Sequence, residues 1–137
     1  MEDHFLLSDS EFEKQFISGS LEPKLFSHEA HLRMAWLALK NLGMQEGEKF
    51  IETHLKNYVK AVGAEEKYNQ TLTVAALKAV EHFMAKSKAS EFKEFIAEFP
   101  RLKNNFRDLM SQHYSFDIYN SADAKQSFLK PDLMPFD

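Results

Sequence analysis

Ser27-His28-Glu29-Ala30-His31-Leu32-Arg33-Met34-Ala35-Trp36-Leu37-Ala38-Leu39-Lys40-Asn41-Leu42-Gly43 is the stretch that decides the fold class. Ser27 is a helix-starting residue, Gly43 a helix-stopping one, and nothing between them breaks a helix. At about 100° per residue, Glu29, Arg33 and Lys40 share one narrow polar sector, expected to face water. The rest of the wheel is apolar or histidine. Leu32, Ala35 and Leu39 mark the centre of the buried arc, and His28 and His31 bracket that centre, so both imidazoles are expected to point inward.

Similar punctuation recurs on either side. Ser8-Asp9-Ser10-Glu11 reads as a capping box for a helix from about Asp9 to Ser18, which Gly19 stops; Pro23 keeps the next segment irregular. Beyond Gly43, a helix from about Gln45 to Val62 turns Ile51, Leu55, Tyr58 and Val62 inward and ends at Gly63. Another covers about Asn69 to Lys86, with Thr73, Ala76, Leu77, Val80 and Met84 as its stripe and Lys78, Glu81 and Lys88 facing water. Ser90 is the expected cap of a fifth helix through Phe99, which Pro100 terminates, and a sixth spans Leu102 to Gln112. A short turn near Ala122 to Ser127 precedes an apolar, proline-broken tail from Phe128 to Phe136, expected to lie over the bundle as an extended strap. No period-2 run offers material for a sheet. The expected fold is therefore all-α: one helical domain over residues 1–137, a bundle of five or six helices with the tail packed on it.

Composition narrows the function classes. The chain has no cysteine, which removes thiol chemistry, disulfides, iron–sulfur clusters and thiolate zinc sites. A formal net charge of −4 with scattered basic residues argues against nucleic acid as a partner. Charged residues or His interrupt every apolar segment well short of the roughly 20 residues a bilayer span needs, so no membrane partner is expected. The acidic start Met1-Glu2-Asp3-His4 does not read as a secretory signal, and a cytoplasmic location is the expectation. Thirteen Phe against one Trp suggest a thick aromatic core or the walls of an apolar cavity, with the core favoured.

His28 and His31 form the leading candidate site. Near the start of a helix the dipole disfavours a protonated imidazole, so both should be neutral at pH 7. Neutral imidazoles at i, i+3 can chelate one divalent metal or work as a proton-transferring pair, and the spacing alone does not choose. His28-Glu29-Ala30-His31 is one residue too short for a zinc-protease motif, and Glu29 is expected to turn toward solvent. The plain alternative is two histidines hydrogen-bonded to nearby carbonyls. Tyr68, Asn69 and Thr73, at the start of the fourth helix, are the expected polar partners of a ligand, with helix capping the competing role for Asn69. His54 stands as a third ligand or a boundary residue, and Glu66 as a carboxylate ligand or part of a solvated connection. His82 is expected in solvent; His4 and His113 carry no spacing signal.

Phe26 to Trp36 resembles the F-x-H-x-x-H-L-R-x-A-W signature of a group of small uncharacterised bacterial all-α proteins. Lys67-Tyr68-Asn69-Gln70-Thr71-Leu72-Thr73 is similar to that group's K-Y-H-E-T-x-T signature, and Ser121 through Pro135 to its S-x-x-A-[RK]-x-x-F-x-x-P-D-x-x-P ending. The resemblance implies a pocket made by His28 and His31 on one helix and residues 68–73 on another. Asn69 and Gln70 replace the group's histidine and glutamate, which removes two ligands and a general base.

Three readings follow: a metal-assisted or small-molecule enzyme using His28 and His31 as ligands or base; a binding module for an apolar or aromatic ligand; and a protein-interaction module or homodimer with purely structural histidines.

Overall fold

The computed structural model describes residues 1–136, and every regular element among them is a helix. Seven α-helices follow in order: α1 (Asp9–Ser18), α2 (His28–Ala61), α3 (Gln70–Met84), α4 (Phe92–Glu98), α5 (Arg101–Asn104), α6 (Phe106–His113) and α7 (Ala122–Gln126). Short 3-10 turns stand at Asp3–Leu6, Pro23–Leu25 and Glu65–Lys67. None of the described helices is long and apolar enough to cross a membrane. The chain divides into two compact units, Met1–Tyr68 and Asn69–Asp137.

In the first unit, the Ser8 hydroxyl accepts the Glu11 N–H at 3.2 Å and starts α1, and Gly19, left-handed at φ 77°, ends it. Only half of the expected capping box forms, because the Glu11 carboxylate accepts from Gln15 one turn on, at 3.0 Å. Ser27 caps α2 through the Ala30 N–H at 3.2 Å. The long α2 is not straight. Gly43 (φ 79°, ψ 177°) leaves helical geometry and reverses the chain. A side chain on Gly47 would meet the Ala38 carbonyl oxygen at 3.3 Å, although nine residues of straight helix would separate them by about 13.5 Å. The two helices expected on either side of Gly43 are thus the two arms of one hairpin.

Aromatic rings close that hairpin against α1. Tyr58, on the second arm, sits edge-on to Phe26 with centroids 5.0 Å apart, lies 5.7 Å from Phe16, and donates its hydroxyl to the Leu21 carbonyl at 2.8 Å. Phe12 and Phe16 are fully buried, as the phenylalanine excess suggested. Burying side chains of this size contributes about 1.5–3 kcal/mol each.

The second unit is built on α3, whose Thr73, Leu77 and Val80 are buried. Lys78 is half-buried rather than solvated; Glu81 and Lys88 are exposed as expected. α4 begins one residue later than a cap at Ser90 implies, with Glu91 in the cap position, and the Ser90 hydroxyl donates instead to the Glu94 carboxylate. The expected sixth helix is broken into α5 and α6 at Asn105 (φ −133°, ψ 32°), where an Asn-Asn pair disfavours continued helix. The tail is the strap anticipated. The Thr71 hydroxyl donates to the Ser127 carbonyl at 2.8 Å and accepts the Leu129 N–H at 3.0 Å, Tyr114 donates to the Leu129 carbonyl at 2.7 Å, and the Leu133 N–H reaches the His113 carbonyl at 3.0 Å.

Gly43 offers a clean test of the hairpin. A Cβ there would meet nothing within 4 Å, yet the backbone angles suit only glycine. Gly43→Ala should cost roughly 1–3 kcal/mol in urea denaturation purely through backbone strain. A loss under about 0.5 kcal/mol would show that the reversal does not need the glycine.

Candidate functional site

The first turn of α2 sits differently from its helical wheel. Glu29 and Arg33 are buried, 5% and 4% exposed, whereas His28 and His31 are exposed. Residues 32–39 are all buried, so the wheel carries little directional signal there. Orientation is decided by the N-terminal segment, which covers the Glu29 and Arg33 side.

That cover is an ordered polar network. The Arg33 guanidinium donates to the carbonyls of His4 (2.7 Å) and Leu7 (2.9 Å) and to the Asp9 carboxylate (2.8 Å), while lying 4.5 Å from the centre of the Phe12 ring. Its Nη1 also lies 3.3 Å from His4 Nδ1. A guanidinium can only donate, so Nδ1 is the acceptor and the His4 proton is on Nε2, which donates to Glu29 Oε1 at 2.7 Å. Burial lowers the His4 pKa, outweighing the hydrogen bond and charge of Glu29, which act to raise it. Neutral His4 is therefore locked in one tautomer. The Ser27 hydroxyl completes the cluster by donating to Glu2.

Sequence spacing gave no hint of His4, which is 1% exposed and 25 residues from Glu29. The one available signal is Arg33 itself: a cation amid apolar neighbours on a buried helix requires acceptors from elsewhere in the chain.

The ligating atoms of Glu2, His4 and Glu29 lie within 4.8 Å of one another, near enough to converge on a cation. Two facts disfavour a cation there: Nε2 already donates its proton to Glu29, and Arg33 places a positive charge beside the ring. The cluster is better suited to latch the N-terminal turn onto α2.

His31 is arranged otherwise. Its Nδ1 contacts the Ser27 carbonyl at 2.8 Å and its ring stacks on Phe26 with centroids 3.8 Å apart and planes inclined by 22°. A carbonyl only accepts, so Nδ1 carries the proton and Nε2 keeps its lone pair. The surrounding protein strips hydration from the imidazolium and lowers its pKa to about 4; the Ser27 hydrogen bond opposes this and the charge of His28 adds to it. Because the residue retains an exposed surface, solvent tempers the size of that fall, but His31 is neutral at pH 7.

The other expected partners divide between the units. Tyr68, half-buried at the end of the first, stands under Lys56, whose ammonium is 5.4 Å from the ring centre. Asn69 and Thr73 belong to the second and are occupied locally. Asn69 caps α3 through the Leu72 N–H at 2.9 Å and donates to the Ile118 carbonyl at 2.8 Å, while the Thr73 hydroxyl donates to the Asn69 carbonyl at 2.8 Å. The capping role is the one observed for Asn69. His54 packs on Phe50 at 4.5 Å, and its Nδ1 has no hydrogen-bond partner among the described residues. Glu66 is exposed in its 3-10 turn, and His82 is half-buried rather than solvated.

Both lowered histidines bind fewer protons when folded than when unfolded. Their contribution to stability is complete above the ordinary value of 6.5 and is lost as pH falls toward the folded values, about 4 for His31. Urea midpoints measured from pH 7.5 downward should fall between pH 6.5 and 4, and His31→Gln should flatten that slope. Arg33→Leu, which leaves several buried acceptors empty, should cost roughly 3 kcal/mol; a midpoint unchanged at pH 7 would refute the latch.

No protein-family model, curated protein or solved structure matches this chain.

Proposed function

We propose that the start of α2 is a binding site in which His28 and His31 take a small molecule or a divalent metal ion. The observation that supports it best is the state of His31: exposed, neutral at pH 7, stacked on Phe26, and held with its proton on Nδ1. An imidazole whose other nitrogen is fixed by a carbonyl presents a lone pair of set direction, the form in which histidine ligates metals or accepts a proton. His28, one turn earlier, is close enough for its charge to act on the His31 ring. The resemblance of Phe26 to Trp36 to a signature with the same two histidines supports the reading independently of geometry.

A pair of imidazole ligands favours borderline metals such as zinc, nickel or cobalt over magnesium or calcium, which prefer oxygen ligands. In a small-molecule complex the same lone pair accepts a hydrogen bond from a hydroxyl or amide donor, with the Phe26–His31 stack as the apolar wall.

Thermal melts of the purified chain with zinc or nickel, and native mass spectrometry of the untreated protein, test both forms. Metal at 100 times its Kd should add about 2.7 kcal/mol of stability. His31→Ala should abolish the response and His28→Ala should weaken it. The absence of both a metal-dependent shift and a retained small molecule would sink the proposal. Lost stability in the double Ala variant, with ligand content unchanged, would make the histidines purely structural.

A further inference from the structure

A cleft of about 290 Å³ lies wholly within the second unit. Ala79, His82 and Phe83 line it from α3, spaced i, i+3, i+4 and hence on one helical face, and Lys86 lines it from the turn that follows the helix. Met110 and His113 line it from α6, and Arg101 from the start of α5. Its last wall is the strap, from Met134 to Phe136.

That wall is firmly built. The His113 carbonyl accepts the Leu133 N–H at 3.0 Å, His113 Nδ1 donates to the Met134 carbonyl at 2.8 Å, and the His113 ring stacks on Phe136 with centroids 4.1 Å apart and planes at 25°. Strap and helix end are thus tied on both sides of the ring.

The charge pattern of the lining is one-sided. Among the described residues, Lys86 and Arg101 belong to it, no Asp or Glu does, and neither cation has an ion-pair partner. This occurs in a chain with 21 acidic and 17 basic residues, where a lining drawn at random would include carboxylates. Met134, in the lining, is 45% exposed, and Leu133 next to it in the strap is 58% exposed. Cations beside an apolar floor and exposed apolar side chains complement a molecule with a carboxylate at one end and an apolar body at the other.

We infer that this cleft of the second unit binds a small carboxylate with an aromatic or aliphatic body, with Lys86 and Arg101 holding the carboxylate and Phe83, Met110 and Phe136 receiving the body. The volume is at the lower edge of the range for small-molecule sites, about 300–1,000 Å³, and suits a compact acid rather than a nucleotide. His28 and His31 take no part in it, so this inference and the proposed function stand or fall separately.

The test compares 4-phenylbutyrate with 4-phenylbutanamide, which has the same shape without the charge, in calorimetric titrations of the full chain and in backbone amide shifts. The carboxylate should bind at least roughly tenfold more tightly than the amide and perturb residues 82–86 and 109–113. Lys86→Gln with Arg101→Gln, both exposed positions expected to leave the fold intact by circular dichroism, should erase the preference. Ala79→Leu should block both probes. Equal affinity for acid and amide, a preference that survives the double Gln substitution, or no binding of either probe at millimolar concentration would overturn the assignment. His28→Ala should leave phenylbutyrate binding unchanged; a loss there would also overturn it.

Discussion

A buried guanidinium cannot shed its charge, and the first unit is organised around that constraint. Arg33 is 4% exposed, so the chain must bring it acceptors, and it does so with the carbonyls of His4 and Leu7 and the carboxylate of Asp9. Satisfying Arg33 fixes the N-terminal turn, and the turn places His4 on Glu29. The rotation of α2 is then set by polar chemistry rather than by its apolar stripe. The exposure of His28 and His31 follows from the same rotation.

Much of the secondary structure is legible in short signals: Ser8 and Gly19 bound α1 to the residue, Asn69 caps α3, and Gly43 marks the reversal of α2. These are local effects of backbone conformation and capping. The facing of α2 was not legible, because residues 32–39 are buried all round and periodicity has little to measure. The network of Glu2, His4, Glu29 and Arg33 joins residues up to 29 apart, and no spacing rule connects them. Of the candidate site, residue type and helix position single out His31 but turn it inward, whereas it is exposed, and its fixed tautomer depends on the Ser27 carbonyl 2.8 Å away. Asn69 and Thr73 were found as polar residues at a helix start, and their hydrogen bonds assign them to that helix start.

His4 and His31 show how one residue type acquires two roles from its surroundings. Both are neutral at pH 7 and both have one nitrogen committed to a neighbour. In His4 the second nitrogen is also engaged, by Glu29, and the ring becomes part of the packing. In His31 the hydrogen bond to Ser27 fixes the ring on one side only, and its exposed surface is what distinguishes a candidate ligand from a structural histidine.

The strap has a consequence for the order in which the chain assembles during synthesis. The polar groups of Thr71, Tyr114 and His113 are answered by Ser127, Leu129, Leu133 and Met134, so α3 and α6 remain incomplete until residues 127–134 have left the ribosome. The first unit is closed by contacts such as Tyr58 to Leu21 and Phe26, all available once residue 68 has emerged. Residues 1–68 can therefore fold while the rest is still being made, as N-terminal units generally do. The second unit must wait for the strap that completes it.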